Sequence, residues 1–158
     1  MTERGRMFRA AAERDCKAIY QIICDMEATV LPYDRFEEIY RKQLEDARYE
    51  CVVCEERQTV VGVLNLRYEE QLHHADWIAE IMEFVVASGY RGRGYGKALF
   101  AFACQRARSR NCTQIEVACN QLRKDTHRFY QREGMKNFHY KLSKMLMGAD
   151  PEENKLGR

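Results

Sequence analysis

Proline is almost missing from this chain, at two residues in 158, and tryptophan occurs once. No Pro/Gly/Ser-rich linker, internal repeat or low-complexity tract divides the sequence, which points to a single domain over residues 1–147 and a charged, frayed tail over 148–158. Net charge is also lacking. The 26 Lys+Arg against 24 Asp+Glu leave +2, too little for a broad grip on nucleic acid or an anionic membrane, so any basic site must be local. Long apolar runs are absent too: the longest, Ala98 to Cys104, falls far short of the roughly 20 residues a membrane helix needs. The amino end, "MTERGRMF", has no signal-peptide apolar region. These absences lead us to expect a soluble, cytoplasmic protein with no nucleic-acid or membrane partner. Its length is that of one ordinary domain, enough to bury about 70% of the surface of the unfolded chain.

Seven cysteines, at 16, 24, 51, 54, 104, 112 and 119, are odd in number and scattered through apparent core segments, as expected of reduced, buried thiols. Cys51 and Cys54 form a C-x-x-C. It lies in a strand-like run, "YECVVCEE", where positions three apart point to opposite faces, and no second Cys/His pair stands at zinc spacing.

A short apolar start, "MFRAAA", leads to Asp15 as the expected N-cap of a first helix carrying Cys16, Ile19, Ile23 and Met26. Beyond Pro32, Asp34 and Glu37 read as a capping box for a second helix. "YECVVCEE" and "TVVGVLNLRY" read as a hairpin joined by "ERQ", with "EEQLHHA" the following loop. In the strand "DWIAEIMEFVV", Ile78, Glu80, Met82, Phe84 and Val86 share one nominal face, and Trp77, Ala79, Ile81, Glu83 and Val85 the other. Acids on both faces of a central strand are unexpected. A helix carrying Ala98, Leu99, Phe102, Ala103 and Arg106 and stopping near Asn111, the strand "TQIEVAC", a short helix "DTHRFYQRE" and a closing strand "FHYKLSKML" complete the order β, α, α, β, β, β, α, β, α, β. That order is α+β, with parallel strands flanking the third helix.

The stretch "RGRGYGKALF" (91–100) sets three glycines and three cations at the mouth of that helix. Glycine allows φ above zero and close backbone approach, and the first N–H groups of a helix are unpaired at its positive end. An anion such as a phosphate is the natural occupant, with Arg91, Arg93 and Lys97 adding charge. The Walker pattern fails here, because Arg91 stands where its first glycine belongs and Ala98 follows Lys97. The dinucleotide fingerprint fails as well, with Lys97 in place of its third glycine.

The segment from Glu83 to Leu99, with Arg91, Gly92, Arg93, Gly94, Tyr95 and Gly96, resembles the acetyl-coenzyme A motif of the general N-acetyltransferase (GNAT) superfamily. "RKDTHRFYQREGM" resembles the second motif of that family, departing from it at Thr126 and Met135. The resemblance implies an α/β/α fold, a mainly antiparallel mixed sheet with helices on both faces and a central parallel strand pair that splays near Val86 and Cys119. It implies acetyl-CoA as cosubstrate, with the pyrophosphate on the N–H groups of residues 91 to 96. Phe84, Val85, Val86, Lys97, Asn120 and Arg123 would complete the cofactor site, and a backbone N–H near Val85 or Val86 would stabilise the oxyanion.

Acetyl transfer to an amine also needs a base and a proton for the thiolate. Tyr130 matches the family tyrosine that supplies the proton, and a phenol can do so chemically. Glu80 is the candidate base, with Glu83 its competitor. Their opposite parity leaves only one facing the cofactor unless a bulge resets the alternation. "LHHADWIAEI" and "THRFYQREG" look closest, within the superfamily, to aminoalkylphosphonate N-acetyltransferases. That implies a small primary amine bearing a phosphonate, to which Arg67, His73 and His74 could contribute, and dependence on a divalent metal. His73 and His74 would point apart in an extended segment. A protein or peptide N-acetyltransferase, a non-catalytic acyl-CoA sensor and a homodimer remain open.

Overall fold

The computed structural model of the chain describes residues 5–148. These fall into two compact units, Met1–Val117 and Ala118–Arg158. In the first unit β1 (Arg6–Ala10) is followed by α1 (Cys16–Glu27), α2 (Tyr33–Glu45), β2 (Tyr49–Glu56), β3 (Thr59–Gln71), β4 (Asp76–Val86), α3 (Tyr95–Ser109) and β5 (Gln114–Val117). The five strands form one sheet in the order β1-β2-β3-β4-β5. All neighbours are antiparallel except β4 and β5, which α3 joins as a parallel pair. The mixed sheet and its helices agree with the expected fold class.

Each face of the sheet has its own apolar layer. Cys16, Ile19 and Ile22 of α1 and Tyr40 of α2 pack with Val53, Val63 and Val85. On the opposite face α3 buries Leu99, Phe100, Ala103 and Ala107, and Phe100 stacks on Phe84 at 6.4 Å between ring centroids. Cys51 and Cys54 do face opposite ways as free thiols. Cys51 lines the α1/α2 side, whereas Cys54 is fully buried beside Gly62 on the α3 side. Burial pushes their pKa values up, to about 12 and about 11.

Several boundaries differ from the sequence reading. Asp15 does stand at the N-cap position of α1, at the end of a one-turn 3₁₀ helix, Glu13–Asp15, but its side chain makes no capping bond there. Its carboxylate instead takes two hydrogen bonds from Arg9, at 2.7 and 2.8 Å, and one from the Ala12 N–H. Arg9 also donates to Glu55. One guanidinium thus neutralises two buried carboxylates, holding Asp15 below the usual carboxylate range. The second helix starts at Tyr33 after Pro32, placing Asp34 inside its first turn, where a carboxylate suits the helix dipole. The hairpin turns on Arg57 and Gln58, both at positive φ, the hand that matches strand twist. β3 continues through Gln71, so residues 69–71 of the expected loop are strand.

The second unit holds α4 (Lys124–Arg132). The Asn120 Oδ1 accepts from the Leu122 N–H at 2.9 Å just before it. After α4, Gly134 at φ +87° stops the helix, and the Met135 N–H returns to the Tyr130 carbonyl at 2.9 Å. The expected closing strand over "FHYKLSKML" does not form. Phe138, Tyr140 and Leu142 do alternate, but they are exposed, and among the described residues of their own unit no strand offers a ladder to satisfy their backbone. Of the expected tail, only Gly148 lies among the described residues; 149–158 fall outside them.

Candidate active site

The β4–β5 pairing is short. It covers only Ile78↔Gln114 to Ile81↔Val117, and β4 then runs on to Val86 without β5 beside it. The parallel pair therefore opens after Ile81, close to where the splay was expected, with β5 ending at Val117 and not at Cys119. The register of β3 against β4 shifts at the same place: Leu66 faces Ile81 but Asn65 faces Glu83, leaving Met82 unpaired. One inserted residue turns the rest of the strand over. Glu80 lies opposite Arg67 and Glu83 opposite Asn65, and Asn65 and Arg67, two apart on β3, share a face. Both glutamates therefore point to the α1/α2 side, resolving the parity conflict read from the sequence.

On that face Arg67 donates to Glu80 at 2.6 Å and to Glu69 at 3.3 Å. Glu80 also has Glu116 of β5 as its Cα partner. Glu83 accepts a 2.8 Å bond from the Asn65 Nδ2, which donates as well to Gln43 of α2 at 2.9 Å. Burial raises the Glu83 pKa above the ordinary carboxylate value, the Asn65 bond opposing it. Asn65, Gln43 and Glu83 line a cleft of about 330 Å³ between the sheet and α1/α2, whose other walls include Ile19, Phe36 and Tyr40. His73 and His74 sit in the turn after β3 with ring centroids 4.2 Å apart. They do not point apart as an extended segment would require. His74 Nδ1 lies 2.5 Å from the Gln71 Oε1. Among the described residues no three His, Cys, Asp or Glu side chains stand together as a metal site, so the donor set for a divalent ion is not assembled there.

The glycine-rich stretch is a turn over residues 91–94 that opens directly into α3. Gly92 and Gly94 have φ of +71° and +85°, and Gly94 is the N-cap. Gly96 lies inside the helix. The first i→i−4 bond of α3 runs from the Ala98 N–H to the Gly94 carbonyl, so the N–H groups of Tyr95, Gly96 and Lys97 have no partner within the helix. Arg91 donates from Nε to the Val86 carbonyl at 3.0 Å. Arg93 lies 3.7 Å from Glu56. The Tyr95 ring is buried, leaving its backbone as the part available at the turn. Arg6 was not legible in the sequence, being 87 residues from its partner. It donates to the Arg93 carbonyl at 2.8 Å and lies 4.0 Å over the Tyr95 ring. Asn65 could have been noticed as a polar residue inside the apolar run of β3.

In the second unit Tyr130 is buried on α4, edge-on to Phe129 at 5.5 Å. Burial pushes its phenol well above the ordinary tyrosine value, with Cys119 adding and Arg123 opposing. The Asn120 backbone carbonyl accepts from the His127 Nε2–H at 2.8 Å, and Arg123 precedes the helix.

The acetyltransferase (GNAT) family profile matches residues 12–135. The chain is also 36% identical over 138 residues to an aminoalkylphosphonate N-acetyltransferase of Salmonella typhimurium, covering 87% of this chain and 90% of that protein. The chain therefore belongs to the GNAT family of acetyltransferases. Among solved structures, a protein from Bacillus halodurans described as a transcriptional regulator superposes with a TM-score of 0.83 at 25% identity, over 89% of this chain and 99% of that one. Glucosamine-6-phosphate N-acetyltransferase from Arabidopsis thaliana does so with a TM-score of 0.74 at 20% identity, over 90% and 99%.

Proposed function

We propose that this enzyme moves the acetyl group of acetyl-CoA to the primary amine of an aminoalkylphosphonate, in the cytoplasm and by direct attack in a ternary complex. The observation that carries this reading is the 36% identity, over nearly the full length of both chains, to the Salmonella aminoalkylphosphonate N-acetyltransferase. The pyrophosphate lies on the free N–H groups at the start of α3, with Arg91, Arg93 and Lys97 around it; Asn120 and Arg123 add polar contacts. The thioester enters where β4 has lost β5. Val86 is the favoured oxyanion donor of the Val85–Val86 pair. Its carbonyl is turned to Arg91, and in an antiparallel strand the N–H of a residue points the same way as its carbonyl. Phe84 flanks the acyl group.

Glu80 accepts the amine proton, directly or through a water. The nitrogen lone pair forms the C–N bond, the C–S bond breaks, and Tyr130 protonates the departing thiolate and recovers its proton from solvent. Arg67, with His73 and His74 at the rim, holds the phosphonate. The Arg67 Nε makes no hydrogen bond in the free chain, so this guanidinium has a donor to offer. Acetyl-CoA consumption measured over aminoalkylphosphonates, polyamines, amino sugars and peptides, with and without divalent metal, tests the reading. Turnover fastest with 2-aminoethylphosphonate supports it, and turnover confined to peptides refutes it.

A further inference from the structure

Asn65 is 7% exposed and makes two hydrogen bonds, both as a donor. The Glu83 carboxylate is an acceptor and sets the amide orientation: Nδ2 faces Glu83 and Gln43, and neither of them pairs with Oδ1. That Oδ1 is buried with no hydrogen-bond partner. A buried, unpaired amide oxygen costs stability, and native chains keep few of them. Asn65 lies opposite Glu83 on the neighbouring strand, at the bulge where β4 parts from β5, and both line the cleft under α1 and α2. The rest of that cleft is largely apolar, and a hydrogen-bond donor entering it from outside the chain would pair this oxygen.

We infer that Asn65 is a specificity-determining residue whose Oδ1 accepts one N–H of the acceptor amine, and that it thereby selects primary amines over alcohols. The inference rests on the acetyl-transfer reading above and adds to it the group that recognises the nucleophile. A neutral primary amine has one lone pair and two N–H groups. The lone pair must point to the thioester carbon and one N–H to the carboxylate that takes the proton. The second N–H is left over, and on this face the unpaired Oδ1 of Asn65 receives it. An alcohol has a single hydrogen, which the base consumes, so it leaves Oδ1 unpaired on binding. Sites built to pair a donor discriminate strongly against analogues that lack it, for that reason.

The test is calorimetric, on the full chain saturated with CoA, and needs no turnover. Two isosteric pairs serve as probes: 2-aminoethylphosphonate with 2-hydroxyethylphosphonate, and n-butylamine with n-butanol. The wild-type protein is expected to prefer the amine at least about tenfold, the factor carried by one net hydrogen bond. Asn65→Leu, which keeps the volume and removes the acceptor, is expected to bring the preference below about threefold, while Asn65→Asp, which keeps an oxygen, retains it. Asn65→Ala, which also removes the acceptor, repeats the comparison should the leucine variant fail to fold, and is expected to behave as Leu. A preference seen with the butyl pair alone would uphold Asn65 as the reader of the amine while telling against the phosphonate. Equal affinity for amine and alcohol in the wild type, or a preference unchanged in both Asn65→Leu and Asn65→Ala, would overturn the inference and leave Oδ1 serving an internal water.

Discussion

Replacing Gly94 by alanine separates conformational from steric demands at the helix mouth. Gly94 caps α3 at φ +85°. A Cβ built there meets nothing closer than the Arg6 Nη1 at 3.9 Å, the far end of a flexible side chain at ordinary contact distance. The cost is therefore almost wholly that of holding an L-residue left-handed, about 1–2 kcal/mol. If the turn keeps its shape, that energy appears as lost folding stability. If the turn relaxes when empty, it appears as a weaker grip on the cosubstrate, a rise of about 5–30-fold in the KM for acetyl-CoA at 1.4 kcal/mol per tenfold. In neither case should kcat change by more than about twofold, because no group at the reacting atoms has moved. Urea unfolding and steady-state kinetics on the same preparation measure both shares. Gly89→Ala is the control, since Gly89 has no positive φ and nothing within 4 Å of its would-be Cβ. Gly94→Ala with stability and KM both at wild-type values, or an equal effect from Gly89→Ala, would refute the reasoning.

Tyr130→Phe should lower kcat at least tenfold while CoA still binds by calorimetry; since burial raises the phenol pKa, the wild-type kcat should show no alkaline fall from tyrosine ionisation below about pH 10. Glu80→Gln should cost about 10²–10⁴ in kcat and abolish its acidic limb, and loss of that limb in Glu83→Gln instead would move the base along β4. Glu83 has a raised pKa in the folded chain, so its contribution to stability is full below the unfolded carboxylate value near 4.3 and is lost as pH rises through the folded value; Glu83→Gln should accordingly stabilise the chain at pH 7.5 relative to its effect at pH 4, and the opposite sign in urea titrations would contradict the burial argument. Arg9→Met strands the buried carboxylates of Asp15 and Glu55 and should cost about 3–5 kcal/mol at pH 7, largely recovered by adding Asp15→Asn and Glu55→Gln.

Elements whose signal is local were legible in the sequence. The amphipathic spacing of α1 and α2, the β-rich runs of the hairpin and the glycines of residues 92–96 each depend on neighbours a few positions away. What escaped depends on distant partners. Asp15 has the residue type of a cap, and only the fold shows Arg9 claiming its carboxylate from β1. The acids of opposite parity in β4 hint at a bulge, but its place at Met82 is a mismatch of lengths between β3 and β4 that β4 alone does not specify. It nevertheless decides the candidate site, because it brings Glu80 and Glu83 to one face. The run "FHYKLSKML" failed in the opposite sense, carrying strand alternation without a ladder in its own unit. Arg6 became visible only when the topology set it beside the helix mouth, whereas Asn65 stands out in the sequence as a polar residue in an apolar run and the fold adds its place opposite Glu83.

Calorimetric titration of CoA and of pantetheine into the full chain, each repeated with Gly94→Ala and with Arg91→Ala, addresses the anion-binding helix mouth most directly. The account predicts that CoA binds, that the pantetheine lacking the pyrophosphate binds far more weakly, and that both substitutions weaken CoA alone. Equal affinity for the two ligands, or CoA binding untouched by either substitution, would contradict it.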